Sequence, residues 1–337
     1  MYADALLAEL EQERACLAEN VETVFVGGGT PTFTDRDELS RLLRALPAAE
    51  EVTVEANPET VTPELVQLLL AGGVSRVSLG VQSFQPHLLE VLERRAAPET
   101  ARRAAQTLRD AGLDNLSLDL IYGIPGQSPA DLRADLAAAL ALEPEHLSCY
   151  ELEAKPGTRF TYAHGEELAR QAESMEEYFE VVVETLTGAG YRWYETANFC
   201  RDGDRELRAQ HNLGIWRGAD YLGVGVGAVS TLAGERRRNL PSVGRYVEAL
   251  AAGASPPREV EHLDAETRAV ERLMLGLRLD EPVAVGDDVA GVPESVIDTR
   301  ALPRLADGGL VELVDGGIRL TARGRLLGDA VTADLLA

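Results

Sequence analysis

The sequence predicts an α/β fold built around a parallel β-sheet, and three observations support that class. Short runs rich in Val, Ile and Leu recur through the first 155 residues. A loop with Gly or Pro follows each run, and then a stretch whose apolar residues repeat near every 3.6 positions, as in amphipathic helices. Strands that alternate with such helices form βαβ units, so we expect an open parallel sheet or part of a barrel.

Five predicted strands carry the sheet. They begin at Thr23, Glu51, Arg76, Asn115 and His146 and read TVFVGG, EVTVEANP, RVSLGVQSF, NLSLDLIYGIPG and HLSCYELE. The helical stretches between them include TPELVQLLLAGG, APETARRAAQTLRDAG and SPADLRADLAAALALEP. Several of these stretches start with Ser, Thr or Pro and stop at Gly, as helices commonly do.

The rest of the chain predicts a further helix, a strand, a linker and a small C-terminal module. Residues 178–190 read as the helix and YRWYETANF as the strand. Small residues and two prolines predict a linker over 251–263. Beyond it, the order helix, strand, Gly-Gly turn, strand, helix is typical of a winged helix. We therefore predict one domain over 1–155, an extension over 156–250 and a winged-helix-like domain over 264–337.

Composition excludes several classes of partner. The 337 residues carry a formal net charge of -24, whereas nucleic acids and anionic membranes need a basic surface. The N-terminal stretch lacks a signal-peptide pattern, and the apolar stretch Tyr221 to Gly234 is too short to span a bilayer. Cys16, Cys149 and Cys200 are widely separated, which favours unpaired thiols in a reducing compartment. We expect a cytoplasmic protein with no nucleic-acid partner and no membrane insertion, whose C-terminal module packs or acts as a lid.

Polar residues recur at the predicted carboxyl end of every strand. In parallel α/β folds ligands bind on the loops at this rim. The rim residues are Gly27, Gly28, Gly29, Thr30, Glu55, Asn57, Gln82, Ser83, Asp119, Tyr122, Gly123, Glu151 and Glu153. Their recurrence at one edge predicts a ligand site.

The three consecutive glycines have two interpretations. They permit positive φ and let a ligand approach the backbone without meeting a Cβ, as in a phosphate-binding loop. However, the loop lacks both the lysine of a P-loop and the spacing of a dinucleotide fingerprint. Taken alone, the glycines are explained better by a tight turn between a strand and a helix.

Glu55 and Asp119 lie within apolar runs, where burying a carboxylate costs free energy unless something compensates it. An Arg or Lys partner would do so, and so would a ligand with ammonium and hydroxyl donors. Arg94 fits either interpretation, because it can neutralise a carboxylate of the protein or bind a ligand carboxylate in a forked pair. Its spacing leaves both open.

Six stretches carry a resemblance to a known family. In chain order they are VFVGGGTPTF, EANPET, GVQSFQPHLLEVLERR, LSLDLIYGIPGQS, HLSCYELEAKPGT and HNLGIWRGADYLGVGVGA. This ordered set resembles the radical S-adenosylmethionine (SAM) proteins related to oxygen-independent coproporphyrinogen III oxidase, and within them the heme chaperone branch. The resemblance covers nearly the whole chain. It implies a partial (β/α)6 TIM-like radical SAM barrel, here missing its first strand, with SAM across the open rim.

The resemblance also implies which rim residues bind SAM. They are Gly28, Gly29, Thr30, Glu55, Gln82, Arg94 and Asp119. The glycines and the threonine would line the methionine end through backbone contacts. Glu55 would help to hold the methionyl ammonium and Arg94 the methionyl carboxylate. Gln82 and Asp119 would take the ribose hydroxyls, so that a zwitterion with a diol meets both charge signs and hydroxyl acceptors.

The iron–sulfur cluster of the family is the main departure. A [4Fe-4S] cluster there needs three thiolates from a CxxxCxxC loop, with SAM at the fourth site. The chain has no such loop, and its three cysteines are predicted on a helix, in a strand and in a distant loop. As written, the chain should not make a radical. Because the other SAM positions are intact and a missing first strand leaves an open sheet edge, we expect a misassigned start rather than a lost cluster.

A second motif points to heme. HNLGIW, 211–216, resembles the HNxxYW motif linked to heme in the chaperone branch, where the histidine is the expected axial ligand. This makes His211 the candidate ligand, although by default it would cap a loop. Ile215 replaces the tyrosine, and Val229 stands where the family has histidine. ERRRN, 235–239, reads as a solvated turn whose arginines could instead meet heme propionates.

Three functions follow as hypotheses. The first is a heme chaperone that uses SAM and a cluster and passes heme to an acceptor protein of unknown identity. The second is an enzyme, an oxygen-independent oxidase that decarboxylates two propionates of coproporphyrinogen. The third is a cluster-free barrel that binds SAM or another small molecule. The HNxxYW-like motif favours the chaperone, and whether the chain is an enzyme stays open.

Overall fold

The computed structural model describes residues 1–94, 97–286, 291–314 and 316–337. The helices in these ranges are α1 (Tyr2–Glu13), α2 (Arg36–Ala45), α3 (Pro63–Ala71), α4 (Pro86–Val91), α5 (Pro98–Asp110), α6 (Pro129–Leu140), α7 (Arg159–Ala172), α8 (Met175–Gly188), α9 (Gln210–Trp216), α10 (Val243–Ala251), α11 (Ala265–Gly276), α12 (Ala301–Asp307), α13 (Ala322–Leu326) and α14 (Gly328–Leu335). The strands are β1 (Val21–Val26), β2 (Ala49–Ala56), β3 (Arg76–Gln82), β4 (Leu116–Tyr122), β5 (His146–Glu151), β6 (Tyr191–Glu195), β7 (Asn198–Arg201), β8 (Val229–Leu232), β9 (Glu235–Asn239), β10 (Arg258–His262), β11 (Val283–Ala284), β12 (Val311–Val314) and β13 (Gly317–Leu320).

A seven-stranded sheet in the order β1-β2-β3-β4-β5-β7-β6 forms a curled half-barrel, which confirms the predicted fold class. Strands β2 to β5 pair in parallel. The stretch YRWYETANF, however, is not one strand. It forms β6 and β7, and β7 pairs antiparallel with both β5 and β6. The chain reverses there because the Glu195 carboxylate accepts hydrogen bonds from the backbone of Ala197 and the side chain of Asn198.

The chain divides into two compact units. The sheet unit comprises 25–39 and 51–209, and the second unit comprises 1–24, 40–50 and 210–337. The boundaries of the sequence-predicted domains stay predictions.

Alternation of side chains along the strands gives the sheet unit its core and its polar interior. Leu79, Leu118 and Leu147 on one face are fully buried. Each such leucine contributes about 1.5–3 kcal/mol through removal of apolar surface from water. The other face carries Ser117 and His146, also buried, so polar side chains line the inside of the half-barrel.

Local signals in the sequence explain where the helices begin. Ser128 caps α6 by accepting a hydrogen bond from Asp131 N at 3.2 Å, while the Asp131 carboxylate accepts one from Ser128 N at 2.9 Å. The Thr62 hydroxyl caps α3 by accepting a hydrogen bond from Leu65 N at 3.2 Å, and both helices have proline at their first position. A cap of this kind is worth about 1 kcal/mol.

The second unit contains two small antiparallel sheets, β10-β9-β8 and β11-β13-β12. Residues 258–262, inside the predicted linker, form β10 and pair with β9. The predicted solvated turn over 235–239 is therefore a strand, held partly by charge pairs across the two strands. The C-terminal module has the predicted order α12, β12, β13, α13, with the short β11 added to its sheet, although Asp315 of its turn lies outside the described residues. No helix in the described ranges is both long and apolar enough to cross a membrane.

Candidate functional site

The glycine loop after β1 is shaped around Glu55. A Cβ on Gly27 would lie 2.9 Å from the Glu55 carboxylate, so a larger residue there would push the two apart. Gly28 has φ of +79°, a conformation that glycine adopts without strain. Its backbone N–H donates to Glu55. Cβ atoms built on Gly28 and Gly29 would meet nothing within 4 Å, so the loop presents bare backbone to whatever binds there.

Glu55, near the end of β2, is half-buried. Burial raises its pKa to about 7, and the negative charge of Asp119 adds to the rise, while the hydrogen bond from Gly28 opposes it. The carboxyl group therefore changes charge near neutral pH, which a solvated glutamate does not do.

Asp119 lies on β4, on the same face of the sheet. The Ser78 hydroxyl is 2.9 Å from each of its carboxylate oxygens, and the Ser117 hydroxyl is 3.4 Å from Oδ1. Burial raises the pKa of Asp119, and the Ser78 hydrogen bond and the Arg76 charge act against that rise. Two carboxyl groups that feel one another's charge thus share one side of the half-barrel, a setting that favours a cationic ligand.

Gln82, the last residue of β3, reaches the same area by an unusual backbone conformation. Its φ is +68°, and the pairing between β3 and β4 shifts register between Gly80 and Gln82. A Cβ on Gly80 would lie 3.0 Å from Gln82 Nε2, so the absent side chain leaves room for the amide. Because Gly80 pairs with Asp119, the Gln82 amide lies close to that carboxylate along the sheet.

The structure thus brings Gly28, Glu55, Gln82 and Asp119 together on one side of the sheet. Thr30 follows the glycines and its carbonyl accepts a hydrogen bond from Phe33 N. Arg94 is exposed beyond α4 and lines a surface cavity of about 720 Å³. Across the described ranges it forms no ion pair, so it does not neutralise the carboxylates.

Sequence reasoning missed a buried polar layer on the same face. The backbone of Ala209 donates to the Tyr194 hydroxyl at 3.1 Å, and that hydroxyl lies 2.7 Å from His146 Nε2. His146 Nδ1 lies 2.8 Å from the hydroxyl of Ser117. Burial, with the Arg76 charge, holds the pKa of His146 well below its usual value, so the ring is neutral.

With Asp119 ionised, one arrangement of protons satisfies all of these contacts. The Tyr194 hydroxyl donates to His146, the ring donates from Nδ1 to Ser117, and Ser117 donates to Asp119. The signal was present in the sequence: polar residues alternate with apolar ones in RVSLG, LSLDL and HLSCY.

The cysteines do not form a cluster site. Cys16 is exposed after α1, whereas Cys149 and Cys200 are buried in β5 and β7. Burial raises the pKa of the Cys149 thiol, and it raises that of Cys200 to about 12, which disfavours the thiolates that bind iron. No group of three His, Cys, Asp or Glu side chains that could hold a metal ion occurs in the part of the chain that the structure describes. These residues do not fit a [4Fe-4S] cluster.

In the second unit, His211 lies in the first turn of α9 and not in a loop. Its Nδ1 is 3.0 Å from the Thr23 hydroxyl. At the other end of α9, the Arg278 guanidinium stacks 4.5 Å above the Trp216 ring. Arg217 forms a forked pair with Glu281 at 2.7–3.1 Å. Side-chain contacts therefore hold the helix at both ends.

Two of the three arginines of β9, Arg236 and Arg237, are already paired. Arg236 lies 2.5 Å from Glu271 and 3.3 Å from Glu261. Arg237 lies 2.5 Å from Glu235 and 3.7 Å from Glu13. A heme propionate would have to displace these carboxylates.

Two family models and several curated proteins match this chain. Residues 3–139 match the radical SAM superfamily model, and residues 263–327 match the HemN C-terminal domain model. The chain is 38% identical over 341 residues to the heme chaperone HemW of Mycobacterium tuberculosis H37Rv, covering 98% of this chain and 85% of the relative. It is 34% identical to HemW of Escherichia coli K12, covering 96% and 87%.

A solved structure shows the same fold. Coproporphyrinogen III oxidase (HemN) from Escherichia coli, described as a radical SAM enzyme, superimposes with a TM-score of 0.78 at 24% identity, covering 99% of this chain and 82% of the other. This likeness supports the fold. Proteins of the superfamily use SAM and a [4Fe-4S] cluster. The identities to the chaperones and the match to the radical SAM model show that the chain belongs to the HemW family of radical SAM proteins.

Proposed function

We propose that the protein is a heme chaperone that binds SAM in its half-barrel and heme through α9, and that passes heme to an acceptor protein. The observation that carries the SAM site is the gathering of the glycine loop, Glu55, Gln82 and Asp119 on one side of the sheet. The relatives named heme chaperones support heme as the cargo. The charge of -24 disfavours a nucleic-acid partner, and the three unpaired cysteines favour a cytoplasmic location.

The chemistry of SAM matches this arrangement. Its sulfonium and its ammonium are both cationic, so they would compensate Glu55 and Asp119, whose carboxyl groups are costly to ionise when buried. Its ribose diol offers donors to Asp119 and to the amide oxygen of Gln82. The bare backbone of Gly28, Gly29 and Thr30 would line the methionine end.

Arg94 would bind the methionyl carboxylate in this proposal, since it is exposed and carries an arginine fork suited to carboxylates. With a cluster bound, SAM supplies a 5′-deoxyadenosyl radical in this superfamily. Because the described residues do not fit a cluster, we assign no radical step to them.

His211 would be the axial ligand of heme. The Thr23 hydroxyl lies 3.0 Å from Nδ1 of His211, so the ring would bind iron through Nε2. A hydroxyl that accepts the Nδ1 proton fixes the tautomer with a lone pair on Nε2, as partners of metal-bound histidines commonly do. We do not assign the propionates to Arg236 and Arg237, because both are paired with carboxylates.

A hemin titration tests the proposal. The purified chain should develop a Soret band that saturates at one heme per chain, and His211→Ala should lose it. Full heme stoichiometry in His211→Ala would remove this residue from the proposal. If an anaerobic preparation with SAM and a reductant formed protoporphyrinogen from coproporphyrinogen, that result would instead favour the oxidase.

A further inference from the structure

The backbone at Gln82 is strained. The N–H of Ser83 donates to the carbonyl of Val81 at 2.9 Å, and the residue between them has φ of +68°. A three-residue turn with positive φ at its centre is the rarer, strained form of γ-turn, and Gln82 has a Cβ that makes it costlier than glycine. Such a conformation persists only when surrounding contacts enforce it.

Asp135 supplies those contacts from the middle of α6. Its Oδ1 accepts a hydrogen bond from Phe84 N at 2.7 Å and another from Gln85 Nε2 at 3.1 Å. Its Oδ2 accepts one from the Ser83 hydroxyl at 2.6 Å. The three donors are the three residues directly after Gln82, and Asp135 itself is 1% exposed.

A carboxylate at this place needs an explanation, because packing alone would be served by an apolar residue. Burial raises the pKa of Asp135, and the bonds from Ser83, Phe84 and Gln85 act against that rise. Both carboxylate oxygens accept hydrogen bonds, and each bond holds the segment after β3 against α6. Residues 83–85 are therefore fixed in position, and Gln82 must adopt the positive φ that connects them to β3.

We propose that Asp135 is a positioning residue of the SAM site. It holds the strained turn so that the Gln82 amide lies over Gly80, beside Asp119, where it meets the ribose. Without the carboxylate, Gln82 relaxes to negative φ and its side chain leaves the face of the sheet. The inference rests on the proposed function through the assignment of Gln82 to SAM.

A double-mutant cycle on SAM affinity tests this. Asp135→Asn keeps the size of the side chain but cannot accept all three bonds, and it should weaken SAM binding about tenfold, as expected for loss of charge-assisted hydrogen bonding. In a Gln82→Ala background the same change should have almost no effect, because there is no amide left to position. Calorimetric titration of the full chain with SAM gives all four dissociation constants.

Two results separate the possible failures. Equal losses from Asp135→Asn in both backgrounds would overturn the inference alone, since Asp135 would then act independently of Gln82. If Gln82→Ala binds SAM as tightly as the unaltered chain, the proposed SAM contact of Gln82 is wrong and the inference falls with it.

Two further variants guard against a purely structural effect. Leu136→Val, a buried change next to Asp135, should lower the melting temperature and leave SAM affinity unchanged. Gln82→Gly should raise the melting temperature while weakening SAM binding, because glycine accepts positive φ without strain. Amide exchange at Phe84 without ligand should accelerate in Asp135→Asn, and unchanged exchange there would overturn the inference.

Discussion

Protonation of Glu55 should control both SAM affinity and stability near neutral pH. Its pKa of about 7 means that the carboxylate which would pair with the methionyl ammonium is only half formed at pH 7. The ionised fraction rises from roughly 0.1 at pH 6 to roughly 0.9 at pH 8. SAM affinity should therefore rise by about tenfold over that interval.

The same group acts on stability with the opposite sign. The pKa of this carboxyl group is higher in the folded chain than in the unfolded chain. Its contribution to stability is therefore fully present below pH 4.5, where the group is protonated in both states. That contribution is lost as the pH rises from 4.5 through 7. A shift from 4.5 to about 7 corresponds to at most about 3 kcal/mol. Glu55→Gln without ligand should therefore be more stable than the unaltered chain at pH 8, by up to about 3 kcal/mol.

Calorimetry and denaturant unfolding at pH 6, 7 and 8 measure both effects. In buffers of different ionisation enthalpy, SAM binding at pH 7 should release about half a proton. Glu55→Gln should bind SAM weakly, with no pH dependence from this position and no proton release. If the variant kept the full pH slope and gained no stability at pH 8, Glu55 would not be the titrating group.

Three other predictions concern single contacts. Thr23→Val should weaken hemin binding about 10- to 100-fold and shift the iron–histidine stretching frequency, because the hydrogen bond to His211 is lost. Thr23→Ser keeps the hydroxyl and should retain both properties. Unchanged spectra in Thr23→Val would refute this role of Thr23. Replacing Arg236 and Arg237 together by Ala should leave hemin affinity unchanged in a Soret titration, since both guanidiniums are already paired, and a clear loss would show that propionates compete for them. Leu118→Ala should lower the free energy of unfolding by about 2–5 kcal/mol in urea, and a smaller loss would mean that the core collapses around the cavity.

The sequence predicted strands β1 to β5, of which β2 to β5 pair in parallel, because each is a dense apolar run with glycine, proline or a polar residue at its carboxyl end. The hairpin of β6 and β7 was not predicted, because its turn contains neither Gly nor Pro. Strand β10 was not predicted for a different reason. Its sequence REVEH reads as solvated, and its pairing with β9 is partly carried by ion pairs such as Arg236 with Glu261.

Most of the candidate site was predictable from positions at strand ends. The alternation in HLSCY marks His146 as a polar residue of the strand, but its contacts with Ser117 and Tyr194 were not predictable, because a polar residue inside an apolar run does not reveal its partners on neighbouring strands. Asp135 was missed because a carboxylate in an amphipathic helix usually faces water. Only the fold shows that it faces the residues after Gln82, which are 50 to 52 positions away in the sequence.

A crystal structure of the chain with SAM bound is the most direct test of the proposed cradle. The ligand should lie at the carboxyl ends of the strands, with its ammonium within hydrogen-bonding distance of Glu55 and its ribose hydroxyls within reach of Gln82 and Asp119. Clear density for SAM elsewhere, with these three side chains free of it, would contradict the proposed SAM site.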